Sequence, residues 1–233
     1  MKPYINDYTD VLRFMDDLVE QMSWDEFYTR RMPAPFIIQN EMPDENLVEL
    51  IDSLSIGTAL ELGCGEGRNA IYLASKGIDV TAIDSSPVAI DNAKILAEQK
   101  GVTVDFYCVD ALQFQSDKTY DLIYDSGMLH HLAPHRRITY VELIKRQLAT
   151  EGHLGVTCFA WGDHALHGAA EMDDWEFYKK KCVGVAFTPE RLKELFGDLL
   201  DCVSIRKMRD GVPNTIQGLT FMWTVLFVNA AIY

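Results

Sequence analysis

The 233-residue sequence predicts an α/β fold in which helices cover both faces of a parallel sheet. Three observations carry that prediction. Short apolar runs rich in β-branched residues alternate with segments that repeat apolar residues at helical spacing. The first strand-like run ends in a glycine-rich loop that opens a helix. Hydrophobic residues form 48% of the chain against 24% charged, enough to bury both faces of such a sheet.

The elements follow in order. Thr58 to Leu62 is the first strand, and Asn69 to Lys76 repeats Ala70, Ile71, Leu73 and Ala74 as a helix that stops at Gly77. Ile78 to Ile83 is the second strand. Pro87 then sits just inside a helix running to about Gln99, capped by Ser85 or Ser86 and closed by Gly101. Val102 to Cys108 and Tyr120 to Tyr124 are the next strands, followed by a helix from Pro134 to Ala149 and a strand from Gly152 to Phe159. Thr188-Pro189-Glu190 combines a cap, an N1 proline and an early acid, so it opens another helix. Val203 to Met208 and Leu219 to Val228 complete the strands.

Two stretches fall outside the alternation. Residues 1–45 hold a candidate amphipathic helix and then Trp24-Asp25-Glu26-Phe27-Tyr28, and residues 160–187 separate the fifth strand from its helix. Open α/β sheets bind ligands at the carboxyl ends of their strands, where such insertions form lids. Residues 1–233 are therefore read as a single domain, with 1–45 as a cover and 160–187 as a substrate-side insertion.

A net charge of -14 repels phosphate backbones and anionic headgroups, so nucleic acid and membrane are poor partners. The five cysteines are odd in number and never spaced C-x-x-C, which predicts reduced thiols rather than disulfides or a zinc site. The N-terminus lacks a basic-then-apolar signal pattern, and the apolar stretch Phe221 to Tyr233 is too short to span a bilayer. A cytoplasmic protein is expected.

Glu61-Leu62-Gly63-Cys64-Gly65-Glu66-Gly67-Arg68-Asn69 follows a strand and enters a helix. Missing side chains at 63, 65 and 67 let the backbone turn sharply and a ligand come close, although a plain structural turn looks the same. Asp84 ends the second strand at the spacing where a carboxylate meets ribose hydroxyls, with helix capping as its bland alternative. Asp110, followed by Ala111, lies just past the third strand, within reach of an adenine amine. Three such features at successive strand ends point to a nucleoside cofactor. A dinucleotide needs a third glycine where Arg68 stands, and the glycine here comes one residue early. The Glu61 carboxylate, the 63–67 backbone and Asn69 instead suit the ammonium and carboxylate of a methionyl group.

Ala59-Leu-Glu-Leu-Gly-Cys-Gly-Glu-Gly-Arg-Asn69, Val80-Thr-Ala-Ile-Asp84 and Tyr120-Asp-Leu-Ile-Tyr-Asp125-Ser-Gly-Met-Leu-His-His131 resemble the motifs of class I S-adenosylmethionine-dependent methyltransferases. The Gly-Arg-Asn ending and the aromatic N-terminal segment look most like the small-molecule branch, such as the thiopurine, tellurite and thiol or halide methyltransferases. The resemblance implies a Rossmann-like three-layer sandwich. Its seven-stranded, mostly parallel sheet would have an antiparallel last strand, here Leu219 to Val228. It also implies S-adenosyl-L-methionine as cofactor. Gly63, Cys64, Gly65 and Gly67 would surround the methionyl part, Asp84 with Ser85 the ribose, Asp110 with Ala111 the adenine, and Asp125 would lie near the methionyl amine.

Methyl transfer from a sulfonium is an in-line displacement, so alignment, dryness and aromatic walls help it. Trp24, Phe27, Tyr28 and Phe36 are candidate walls, joined by Trp161 on the insertion. His130 and His131 follow the fourth strand at the mouth of the expected cleft, where an imidazole deprotonates or orients a nucleophile. No metal site is expected, because adjacent histidine side chains diverge. Cys64 reads as a small spacer between glycines rather than a nucleophile. The leading expectation is methyl transfer to a thiol, soft anion or ring nitrogen of a small molecule by a monomer or homodimer. A nicotinamide-dependent oxidoreductase and a non-catalytic S-adenosylmethionine-binding protein stand as alternatives.

Overall fold

A computed structural model describes residues 5, 7–19, 23–30, 41–163, 173–179 and 184–229. Seven strands form one sheet: β1 (Thr58–Leu62), β2 (Asp79–Asp84), β3 (Asp105–Cys108), β4 (Tyr120–Ser126), β5 (Leu148–Phe159), β6 (Asp201–Lys207) and β7 (Met222–Val228). Their order is β3-β2-β1-β4-β5-β7-β6. The first five pair in parallel, and β7 runs antiparallel between β5 and β6. This is the Rossmann-like methyltransferase topology, and the order reverses between β1 and β4, where open α/β sheets bind ligands.

Eight α-helices are described: α1 (Tyr8–Asp17), α2 (Trp24–Arg30), α3 (Glu45–Ser53), α4 (Arg68–Ser75), α5 (Pro87–Lys100), α6 (Arg137–Gln147), α7 (Asp174–Phe177) and α8 (Pro189–Phe196). Strand alternation splits the core in two. Ala59, Val80, Ala82, Leu122 and Tyr124 face Leu47, Leu50, Leu73 and Ile90 of α3, α4 and α5. Leu60, Leu62, Ile83 and Ile123 face Tyr140, Leu143, Ile144 and Phe196 of α6 and α8. Each fully buried side chain of this size contributes about 1.5–3 kcal/mol, so both faces are needed to offset the cost of ordering the chain.

Local chemistry sets the helix ends. Ser86 Oγ caps α5 by accepting from Ala89 N at 3.2 Å, Pro87 follows, and Gly101 closes the helix at φ +68°. Thr188 caps α8 in the same way. Gly67 opens α4 at φ +82°, and a Cβ there would lie 2.9 Å from the Ala93 side chain. Its missing side chain serves the packing of α4 on α5.

Several boundaries differ from the sequence reading. Helix α3 was not expected, although Leu47 and Leu50 mark its buried face. The helix expected from Pro134 to Ala149 divides into a 3₁₀ turn, Pro134–Arg136, and α6. Strand β5 begins at Leu148, four residues early, across a bulge where the β4 register shifts. Gly152 is needed there, because a Cβ would meet the Ala149 carbonyl at 2.9 Å and the Tyr120 carbonyl at 3.0 Å. Strand β3 is shorter than expected, and Leu219 to Phe221 is a turn leading into β7. Among the described residues, no helix is long and apolar enough to cross a membrane.

Candidate active site

The carboxyl ends of the strands open into a cavity of about 990 Å³, walled on its far side by α1 and α2. That is at the upper end of the ~300–1,000 Å³ typical of ligand sites. Its floor is the glycine loop. Gly63 and Gly65 have φ of +65° and +54°. A Cβ at 63 would crowd Met128 at 3.1 Å, and one at 65 would stand 2.6 Å from the Tyr28 hydroxyl. Both positions require glycine on two counts. Asp84 ties the loop to the second strand: Oδ2 accepts from Gly65 N and Oδ1 from Ser86 N, each at 2.9 Å. Burial raises its pKa against those backbone donors.

Beside the loop lies a polar network that sequence reasoning only partly found. Arg68 Nη2 stands 2.7 Å from Asp44 Oδ1, and Arg68 also donates to Met42 O and Ser126 Oγ. Asp44 Oδ2 accepts from Ser126 Oγ at 2.6 Å, Tyr124 OH at 3.0 Å and Asn69 Nδ2 at 3.1 Å. Glu61 is fully buried next to this group, and its Oε2 has no hydrogen-bond partner. Burial pushes its pKa up to about 8, opposed by the Arg68 charge and assisted by Asp44. Asp44 was missed because its side-chain partners lie 24 to 82 residues away. The one usable signal for Arg68 was its place inside the glycine motif.

Ser85, Asp110 and Ala111 line the far end of the floor, where the Asp110 carboxylate accepts from Leu112 N at 2.9 Å. Cys64 also lines the cavity, but burial beside Glu61 and Asp84 lifts its thiol pKa well above the ordinary value. That leaves it a poor nucleophile.

The opposite end is aromatic. His130 is buried and stacked on Phe159, with ring centroids 3.7 Å apart and planes 20° from parallel. Its Nδ1 has no partner, and burial followed by the His131 charge lowers its pKa well below the usual range. His130 is therefore neutral. His131 meets Trp24 edge-on at 4.7 Å. Trp24, Tyr28, His130, His131 and Phe159 all line the cavity.

The structure places several of the expected residues differently from the sequence reading. Asp125 does not line the cavity: it is fully buried, with Met128 N and Tyr140 OH donating to it at 2.6 and 2.8 Å, because the turn after β4 needs an acceptor. Gly67 packs between helices instead of facing the cavity. Trp161 is exposed outside it, Phe27 is core, and Phe36 lies outside the described residues. Asn69 lines the cavity, yet both ends of its side-chain amide are engaged by Asp44. Among the described residues, no group of three or more His, Cys, Asp and Glu side chains is placed to hold a metal ion.

The residues present fit an adenosyl sulfonium. The glycine floor admits close approach, an unpartnered carboxylate oxygen and a guanidinium stand together for an amino-acid group, and the arginines among the described lining residues, Arg68 and Arg136, are paired with Asp44 and Asp16 and not gathered for a pyrophosphate. Residues 59–152 match the methyltransferase domain family. Over 120 residues, half of this chain and 53% of the other, the sequence is 32% identical to 2-heptyl-1-hydroxyquinolin-4(1H)-one methyltransferase of Mycobacteroides abscessus. In fold it is similar to the N-methyltransferase NodS of Bradyrhizobium japonicum in complex with S-adenosylhomocysteine (TM-score 0.60, 22% identity, 94% of this chain and 97% of that one). It is also similar to TehB of Haemophilus influenzae (TM-score 0.62, 16% identity, 89% and 67%). Residues 59–152 thus carry a methyltransferase domain, and the fold around them is that of the class I S-adenosylmethionine-dependent methyltransferases. S-adenosylmethionine is that family's donor, which removes the nicotinamide alternative. The chain spans between about a third and a half of the length of the first curated relatives it matches.

Proposed function

We propose that this protein transfers a methyl group from S-adenosylmethionine to an acidic O–H, S–H or ring N–H group of a small molecule. The observation that carries the reading is one continuous cavity with a glycine-and-carboxylate floor at one end and a histidine–aromatic wall at the other. Glu61 and Arg68 would hold the ammonium and carboxylate of the donor, Asp84 and Ser85 its ribose, and Asp110 and Ala111 its base. The bound donor supplies an electrophilic methyl on a cationic sulfonium. The walls around Trp24 and Phe159 exclude water and favour that cation through their ring faces.

His130 would accept the hydrogen bond of the acceptor's X–H on a ring nitrogen and take that proton, while the bound donor would supply the methyl that replaces it. A desolvated imidazole is a weak base, so it matches acceptors that are themselves acidic: hydroxyheteroaromatics, thiols or acidic ring nitrogens. The relative acting on a hydroxyquinolone supports this class. The surface charge of -14 supports a small-molecule partner over nucleic acid or membrane, and we expect a cytoplasmic monomer or homodimer.

The test is methyl transfer from labelled donor to a panel of hydroxyquinolines, phenols, thiols and amines. The reading expects turnover with an acidic acceptor, and a His130→Phe variant that loses roughly 10²–10⁴-fold in kcat while keeping its S-adenosylhomocysteine affinity. Donor binding without transfer to any class would favour the non-catalytic alternative. Full turnover in the variant would remove His130 from the chemistry.

A further inference from the structure

Past Phe159 the cavity continues between the carboxyl end of β5, the end of β6 and the start of β7. Phe159 pairs in register with Met222 across the sheet, and Met208 N donates to Met222 O at 2.9 Å. Phe159, Met208 and Met222 form a small apolar cluster apart from the two main cores, with Leu219 packed against it. All four of these side chains also line the cavity.

Much of the backbone of this wall is already hydrogen-bonded. Met222 N donates to Leu219 O, Ala160 N to Phe221 O, and Phe187 N to Phe159 O. The neighbouring charges are engaged elsewhere: Lys207 with Asp163, Arg206 with Glu45 and Glu49, and Arg209 with Glu49. None of those three cations lines the cavity. The side chains of this cluster offer a polar ligand group no hydrogen-bond partner to replace its lost water, whereas an apolar one loses nothing.

We propose that the Phe159–Met208–Leu219–Met222 pocket houses an apolar substituent, an alkyl chain or fused ring, carried by the methyl acceptor. This rests on the methyltransferase reading, because it assumes that the acceptor's reacting atom sits beside His130. The stacking of His130 on Phe159 makes one ring part of both the reacting end and this pocket. Methionine has three rotatable side-chain bonds and a polarizable sulfur, so two of them let the pocket fit chains of different length. The pocket thus selects for hydrophobicity and sets no sharp limit on shape.

The experiment titrates 4-n-alkylphenols, from methyl to heptyl, into the protein saturated with S-adenosylhomocysteine. Burial in this pocket predicts that Kd falls about 4-fold per methylene over at least three members before levelling off. The double variant Met208→Ser with Met222→Ser should flatten that series and leave S-adenosylhomocysteine affinity unchanged. In the unsubstituted protein labelled at methionine methyl carbons, heptylphenol should shift the Met208 and Met222 signals, a readout independent of the variant's folding. A flat series with S-adenosylhomocysteine bound overturns the pocket assignment, as does a steep series with both methyl signals unmoved. Failure of S-adenosylhomocysteine to bind overturns the methyltransferase reading instead.

Discussion

Glu61 sits where protein stability and ligand binding ask for opposite things. Its carboxyl is fully buried with one oxygen unpartnered, an arrangement that costs free energy unless the group is protonated or meets a cation. With the native pKa pushed up to about 8 against an ordinary 4.5, the folded state keeps a proton that the unfolded chain has lost. The contribution to stability is therefore full below about pH 4.5 and disappears as pH rises through about 8. Glu61→Gln should match the parent in Tm near pH 4.5 and exceed it by about 3 °C or more at pH 9, given ~2–4 °C per kcal/mol in a chain of this size. The same variant should bind S-adenosylhomocysteine at least ~10-fold more weakly, a loss of about 1.4 kcal/mol. Thermal melts across pH, with and without the ligand, check both halves, and equal Tm at high pH would mean that folding does not raise the Glu61 pKa. The acids at the strand ends were legible because strand, glycine loop and helix are contiguous in sequence. Asp125 misled because the same position that faces a cleft in outline is turned inward by Tyr140 and the turn after β4.

At the scale of elements, the two N-terminal helices lie across the cavity and are pinned at three points. Asp16 of α1 accepts from His135 Nε2 and from Arg136 Nε, each at 2.8 Å, with a further contact to Arg136 Nη2. Ser86 Oγ donates to Asp25 of α2 at 3.1 Å, and Tyr28 stands over Gly65. On its other edge His135 meets the Tyr178 hydroxyl at 2.9 Å, so one buried imidazole joins α1 to the segment after α7. Burial raises the Asp16 pKa, but the hydrogen bonds of Arg136 and His135 outweigh it and hold the net value below the usual range. The pin thus persists above pH ~4 and weakens only as pH falls through the lowered value. Asp16→Ala removes charge-assisted hydrogen bonds, each worth about 1.5–3 kcal/mol, and should speed amide exchange in α1 by about 10–100-fold without changing that of β1 or β4. Unchanged exchange would show that α1 is held by packing instead. Periodicity revealed most strands and helices but not this arrangement. Helix α3 and the bulge at the start of β5 were missed because a nine-residue helix and a bulge leave weak local signals that tertiary contacts decide.

For the whole molecule, the sheet order brings the carboxyl ends of β1, β2 and β3 to one rim, and everything assigned to the donor stands on it. The alternation of strands and helices was enough to expect that rim. The antiparallel placement of β7 came from resemblance, because nothing in the residues of Met222–Val228 states its direction. The central claim is that this rim holds an adenosyl amino acid and not a pyrophosphate. Calorimetric titration of the protein with S-adenosylhomocysteine, and separately with NAD, tests it most directly. The account predicts a Kd on the order of 1–10 µM with a negative heat-capacity change for the first and no measurable heat for the second. Binding of NAD with none of S-adenosylhomocysteine would contradict it.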